Sequence, residues 1–140
     1  MISGYRFLEH TADFRLEIFG TDAADLFIQA AKALTELITD PGSLQGGGQA
    51  RTVVLSGADW PDLMVNWLRE LLYLWEGEQK LICEVTMKVL NPTHLQARVV
   101  NEAYDPAKHE IRNEIKAVTY HQIEAGPYKT GWRARVIFDI

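Results

Sequence analysis

Apolar and polar residues alternate at the end of the chain, in "GWRARVIFDI", where Trp132, Ala134, Val136, Phe138 and Ile140 fall on one side and Arg133, Arg135, Ile137 and Asp139 on the other. This period of two predicts a strand running to the last residue. The same period marks "YRFLEH" and "FRLEIFG" as strands, with "TAD" at 11–13 between them, and "RTVVLSG" as another. "KLICEVTMKVL", "HLQARVVNEA" and "EIKAVTYHQIEA" complete the strand set, with turns at Asn91-Pro92-Thr93 and at "GPYKTG", residues 126–131. Two stretches change to the helical period. From about Asp22 to Thr39, Leu26, Phe27, Ala30, Leu34, Leu37 and Ile38 share one face, with Thr21 as expected N-cap and Pro41-Gly42 as the stop. After Asp59, with Pro61 in the first turn, Leu63, Trp67, Leu68, Leu71, Leu72, Leu74 and Trp75 form a second, wider apolar face. Strands grouped around two long helices predict an α+β fold, one domain over residues 1–140 with a largely antiparallel sheet. No internal repeat is visible.

Charge narrows the partners. The chain carries 14 Lys+Arg against 19 Asp+Glu, a net charge of −5, and so lacks the basic footprint of a freestanding nucleic-acid binder. Direct nucleic-acid binding is therefore not expected. The single Cys83 cannot form a disulfide within the chain and, inside an alternating apolar run, reads as a packing residue. The start, "MISGYRFLEH", lacks the pattern of a secretion signal, and no apolar run approaches the ~20 residues that cross a bilayer. A cytoplasmic location is the expectation.

Candidate chemistry is sparse. Gly46-Gly47-Gly48 lacks the Lys-Ser/Thr of a phosphate loop, and "GSLQGGGQ" at 42–49 reads as a connecting loop. His10 and Asp13 form an H-x-x-D in the first strand turn, where an Asp that stabilises the turn is the plainer reading. In "EIKAVTYHQI", strand alternation puts Lys116, Val118, Tyr120 and Gln122 on one face, so Lys116 and Tyr120 can present an ammonium and a phenol together. His121 falls on the opposite, apolar face with Ile115, Ala117, Thr119 and Ile123, which favours a satisfied core histidine over a catalytic base. Glu102, Asp105 and His109 share "NEAYDPAKHE", either a second polar cluster or a solvated connection, and the solvated connection is the plainer reading. No nucleophile–base set stands out.

Taken together, "EHTAD", "LITD", "LMVNWLRELLYL", "EIKAVTYHQI" and the final "RVIFDI" resemble the archease family in order and separation across essentially the whole chain. One departure is Asn101, where many relatives have Gly before the Glu matching Glu102. The resemblance implies an accessory protein, with no reaction of its own, that assists an RtcB-type RNA ligase in tRNA splicing and RNA repair. Such a partner promotes guanylylation of the ligase and its multiple turnover. It further implies a metal site at Asp13, Asp139 and the Ile140 carboxylate, with Lys116, Tyr120 and His121 as supporting or partner-contacting residues. These donors are hard oxygens, suited to a divalent cation, Ca²⁺ first and Mg²⁺ or Mn²⁺ as alternatives. The rival expectations are a chaperone or modulator of RNA-processing proteins, and a stand-alone metal-dependent phosphoryl-transfer enzyme.

Overall fold

The computed structural model describes residues 2–9 and 13–140. The element order is β1 (Gly4–Glu9), β2 (Asp13–Gly20), α1 (Ala23–Ile38), β3 (Gln49–Ser56), α2 (Trp60–Glu78), β4 (Lys80–Asn91), β5 (His94–Ala103), β6 (Ala117–Tyr128) and β7 (Gly131–Asp139). A short 3₁₀ turn at Pro41–Ser43 follows α1. The strands divide into two sheets, β1-β2-β7-β6 and β3-β5-β4, and every pairing is antiparallel. β3 and β4 both run against β5, so they are parallel to each other, and α2 is the crossover between them.

The helices begin in the same way. Both starts read G-x-D-x-x-D: Gly20-Thr21-Asp22-Ala23-Ala24-Asp25 and Gly57-Ala58-Asp59-Trp60-Pro61-Asp62. The first Asp of each caps the helix, accepting from the amide of the second: Asp25 N–H to Asp22 Oδ1 at 2.8 Å and Asp62 N–H to Asp59 Oδ1 at 3.0 Å. The second Asp reaches back to the amide before the cap, Thr21 N–H and Ala58 N–H, each at 2.8 Å. This reciprocal box satisfies two orphan amides per helix. The α1 cap is thus Asp22 rather than Thr21, because Thr21 is occupied as a donor to Asp25. The glycine two residues before each cap has a steric reason, since a Cβ on Gly20 or Gly57 would run into the backbone of Leu26 or Leu63.

One core joins the layers. Trp67, Phe27, Phe138, Leu16, Ile18 and Leu68 are among its largest buried side chains, drawn from α1, α2 and the first sheet. Trp67 is fully buried, and its indole N–H donates to the Phe27 carbonyl at 2.9 Å, so the ring's polar atom is satisfied across the helix–helix contact. The C-terminal carbonyls of α1, which has no basic residue in its last turn, are met from outside. Arg112 Nη1 donates to Glu36 O, Asn113 Nδ2 to Leu37 O and the Arg112 amide to Ile38 O. The segment leading to β6 is thereby tied to the helix.

Candidate functional site

β7 lies between β2 and β6, so the last strand is a central strand with a neighbour on each side. Its register with β2 sets Asp139 directly opposite Asp13 and Phe138 opposite Phe14. Directly opposed residues of an antiparallel pair point their side chains to the same face, with Cβ atoms about 4.5–5.5 Å apart. That face is the outer one: Phe138, Val136 and Ala134 point into the core, and Asp139, Arg135 and Arg133 point away from it. Two like charges at opposed positions destabilise a sheet unless something positive intervenes. Arg15, two residues along from Asp13 on the same face, contributes partly, its Nε lying 3.4 Å from Asp13 Oδ1. The Lys116 amide donates to the Asp139 carbonyl at 2.8 Å and holds this end of β7 in place. Ile140 follows, partly exposed. Among the described residues no group of three or more His, Cys, Asp or Glu side chains is placed to hold a metal. His10, of the H-x-x-D spacing, lies outside the described residues together with Thr11 and Ala12.

The strand carrying Tyr120 and His121 departs from plain alternation. β6 begins at Ala117, and Ile115 and Lys116 precede it. Its pairing with β7 is regular through Thr119, opposite Ile137, and resumes at Glu124, opposite Arg135. Tyr120, His121, Gln122 and Ile123 therefore stand against the single residue Val136, and Gln122 adopts φ 52°. This bulge throws both Tyr120 and His121 out to solvent. His121 is exposed and not a core histidine, because the face it would share by alternation ends at the bulge. The Tyr120 hydroxyl donates to Asp62 Oδ1 at 2.7 Å, and Arg69 sits 4.6 Å over its ring while donating to the Val118 carbonyl. The hydrogen bond to Asp62, then burial, push the Tyr120 phenol above its ordinary range; the Ala58 amide, then Tyr120, hold the Asp62 carboxyl below its own. Tyr120 is thus committed to the first turn of α2, and only Lys116 of the three is fastened to Asp139.

A second polar cluster runs against the solvated reading of residues 101–110. His109 is 2% exposed, and its Nε2 lies 2.5 Å from Glu102 Oε2. Since His109 Nδ1 accepts the Asp105 amide at 2.9 Å, Nε2 is the protonated nitrogen and donates to Glu102. Glu102 Oε1 accepts the Gln45 amide at 2.9 Å, and Lys108 Nζ lies 3.6 Å from Oε2. The buried pair forms because Asp105 accepts three amides from the turn after it, Lys108 and His109 at its carbonyl and Ala107 at Oδ1, folding His109 back over β5. Burial pushes the Glu102 carboxyl up, but the Gln45 amide, His109 and Lys108 outweigh it and hold the group below the usual 4.5. The pair clasps the Gly-rich loop to the segment before β6, and Gly46 and Gly47 take the positive φ that lets this loop turn inward. Cys83 is half-buried, its thiol pushed up by burial and by nearby Glu102, which suits a packing residue rather than a nucleophile.

Glu102→Gln keeps the shape and removes the charge. It should cost about 1.5–3 kcal/mol near neutral pH, the worth of hydrogen bonds to a charged group. A lowered native pKa stabilises the fold above the unfolded value and ceases to do so as pH falls through the native one. The stability gap between wild type and variant should therefore be full above about 4.5 and close below it. Urea denaturation across that range checks this; a gap that persists into acid would place the effect in packing.

The sequence matches the archease protein family over residues 5–140. The chain belongs to the archease family. Archease of Methanosarcina acetivorans is 36% identical over 97% of this chain and 95% of its own length. Archease of Methanothermobacter thermautotrophicus is 32% identical over 99% of this chain and 100% of its own length. The solution structure of Methanobacterium thermoautotrophicum protein 1598 is 30% identical, superposes with a TM-score of 0.81, and covers 99% of this chain and 100% of that one. The crystal structure of an archease from Thermotoga maritima, described as a possible chaperone, shares the fold with a TM-score of 0.62 at 20% identity, covering 95% of this chain and 94% of that one. The α+β fold with antiparallel sheets and two helices is thus the archease fold. Among the described residues no helix of this archease is long and apolar enough to cross a membrane.

Proposed function

We propose that this archease acts as a protein cofactor of an RtcB-type RNA ligase, and that its working centre is Asp13, Asp139 and the Ile140 α-carboxylate. The observation that carries the reading is the β2–β7 register, which sets Asp13 and Asp139 side by side on the outer face. Both groups and an α-carboxylate are ionised near neutral pH by their ordinary values. An arrangement of opposed anions is what a hard divalent cation stabilises, and an all-oxygen set suits Ca²⁺ with Mg²⁺ or Mn²⁺ as substitutes. When bound, the cation supplies positive charge able to engage a phosphate or a carboxylate of the partner. The chain's own residues do the rest. Lys116 anchors the backbone of Asp139 and brings an ammonium to the same end of the sheet. Membership of the archease family supports a cytoplasmic role in tRNA splicing and RNA repair.

A chaperone reading would be favoured by a large apolar patch. Of the exposed large apolar residues, Val54 and Val89 flank Gln96 on one face of the second sheet, while Leu8 lies in the first sheet and Tyr73 on α2. The test is multiple-turnover ligation with limiting ligase, run with archease bearing a short peptide at either terminus. A C-terminal extension converts the α-carboxylate into a neutral carbonyl and should reduce both Ca²⁺ affinity and stimulation by at least about 10-fold, a loss of ~1.4 kcal/mol. The N-terminal extension should leave both unchanged. Equal behaviour of the two extended forms removes Ile140 from the centre.

A further inference from the structure

The opposite end of the same sheet face has the opposite charge. From Asp139 back to Arg133 is six residues of β7, about 20 Å of extended strand. There a cleft of about 780 Å³ opens between the start of β1 and the β6–β7 hairpin, its wall carrying Arg6, Lys129, Arg133 and Arg135. Its ion pairs do not close. Glu17, 2% exposed, takes both Arg6 and Arg135, and Glu124 takes Arg133 and Arg135. Four cations thus face two carboxylates and leave a local charge of +2 on a chain whose net charge is −5. Lys129 has no carboxylate partner among the described residues.

The cations are also held in position. Burial pushes the Glu17 carboxyl up, but the two arginines prevail and hold it below its ordinary range, so it stays ionised and fixes Arg6 and Arg135. Arg133 lies 3.8 Å over the Tyr128 ring, and Lys129 lies 5.3 Å over it. The remaining wall mixes apolar and aromatic groups, Ile2, Phe19 and the part-buried Trp132, with the hydroxyls of Ser3 and Thr130. An anion entering here meets guanidinium groups already oriented by side chains other than itself, which lowers the ordering cost of binding. Arginine forks match the oxygens of a phosphate, and aromatic and guanidinium planes accept a flat ring.

We infer that this cleft binds a phosphate monoester carried on a flat heterocycle, of the nucleoside monophosphate class. A monoester near pH 7 carries about −1.5 to −2, which balances the surplus of the cleft. The inference concerns the isolated protein and stands whether or not the acidic end of the sheet serves a ligase.

The test is titration of metal-free archease with adenosine 5′-monophosphate, adenosine and inorganic phosphate, followed by calorimetry and by NMR of the Arg Nε–H and Trp indole signals. A second pair of probes, one short oligonucleotide with and without a terminal phosphate, distinguishes a free nucleotide from the end of a nucleic acid as the source. The expected result is saturable binding of the phosphorylated probe in at least one pair, at least 10-fold tighter than its unphosphorylated counterpart, with shifts confined to the cleft. Lys129→Asn, which keeps the positive φ of 54° accessible, and Arg133→Gln should each weaken it at least 5-fold. Both variants should retain the wild-type melting profile and Ca²⁺ titration; if Arg133→Gln is unstable, Lys129→Asn decides alone. Equal binding with and without phosphate in both pairs, or no saturation by low millimolar ligand, overturns the assignment.

Discussion

Asp139→Asn should abolish stimulation of the ligase while leaving the archease fold intact. The substitution keeps the side-chain shape and turns a charged oxygen donor into a neutral one. Altering groups that only support metal ligands costs about 10–100-fold in affinity or activity, so loss of a ligand should weaken Ca²⁺ by at least about 100-fold. The metal-free variant carries a second signature. Asp13 and Asp139 are directly opposed, and removing one of two opposed like charges relieves about 0.2–1 kcal/mol of repulsion. Metal-free Asp139→Asn should therefore melt at or slightly above metal-free wild type, while added Ca²⁺ should raise the melting temperature of wild type only. Asp13→Asn should do the same. A variant that still stimulates multiple-turnover ligation, or that Ca²⁺ stabilises as it does wild type, removes the pair from the centre.

Trp67→Ala should act on the fold. The ring is fully buried between α1, α2 and the first sheet, and its indole N–H is bonded to Phe27 O. Truncating a buried aromatic costs about 3–5 kcal/mol, and for a chain of this size the melting temperature should fall by roughly 10–20 °C. Below that temperature the protein that remains folded should bind Ca²⁺ normally, because Trp67 touches neither Asp13 nor Asp139 through any hydrogen bond. Calorimetric melting with a Ca²⁺ titration at 10 °C separates the two effects. An unchanged melting temperature would mean the cavity closes without loss.

The sequence shows the helices plainly because their signals are local. Asp59 and Pro61 open α2, a wide apolar stripe runs through it, and the structure places its start at Trp60. The N-cap of α1 is misplaced by one residue, since Thr21 and Asp22 are both good caps and only the hydrogen bonds decide between them. The repeated G-x-D-x-x-D is in plain view but too short to register as a repeat until both caps are seen side by side. Alternation finds every strand and cannot say which strands pair, so the split into two sheets is hidden. It also fails at the β6 bulge: "VTYHQI" alternates in sequence, yet residues 120–123 face a single partner residue. The Glu102–His109 pair is equally silent, because burial there depends on a loop folding back. Asp13 and Asp139 are 126 positions apart (139 minus 13), and nothing in either neighbourhood announces the other. Only the family resemblance joins them before the register does.

That separation has a kinetic consequence. Contacts between residues far apart in sequence form late and slowly, because closing the intervening chain carries an entropic cost before the contact is rewarded. The β2–β7 ladder joins the second strand to the last one and is flanked by β1 and β6. Any form of the chain in which β7 has not yet paired with β2 lacks the Asp13–Asp139 juxtaposition. The Asp13–Asp139 pair is therefore a report of completed folding, assembled only once the second strand and the last one have met.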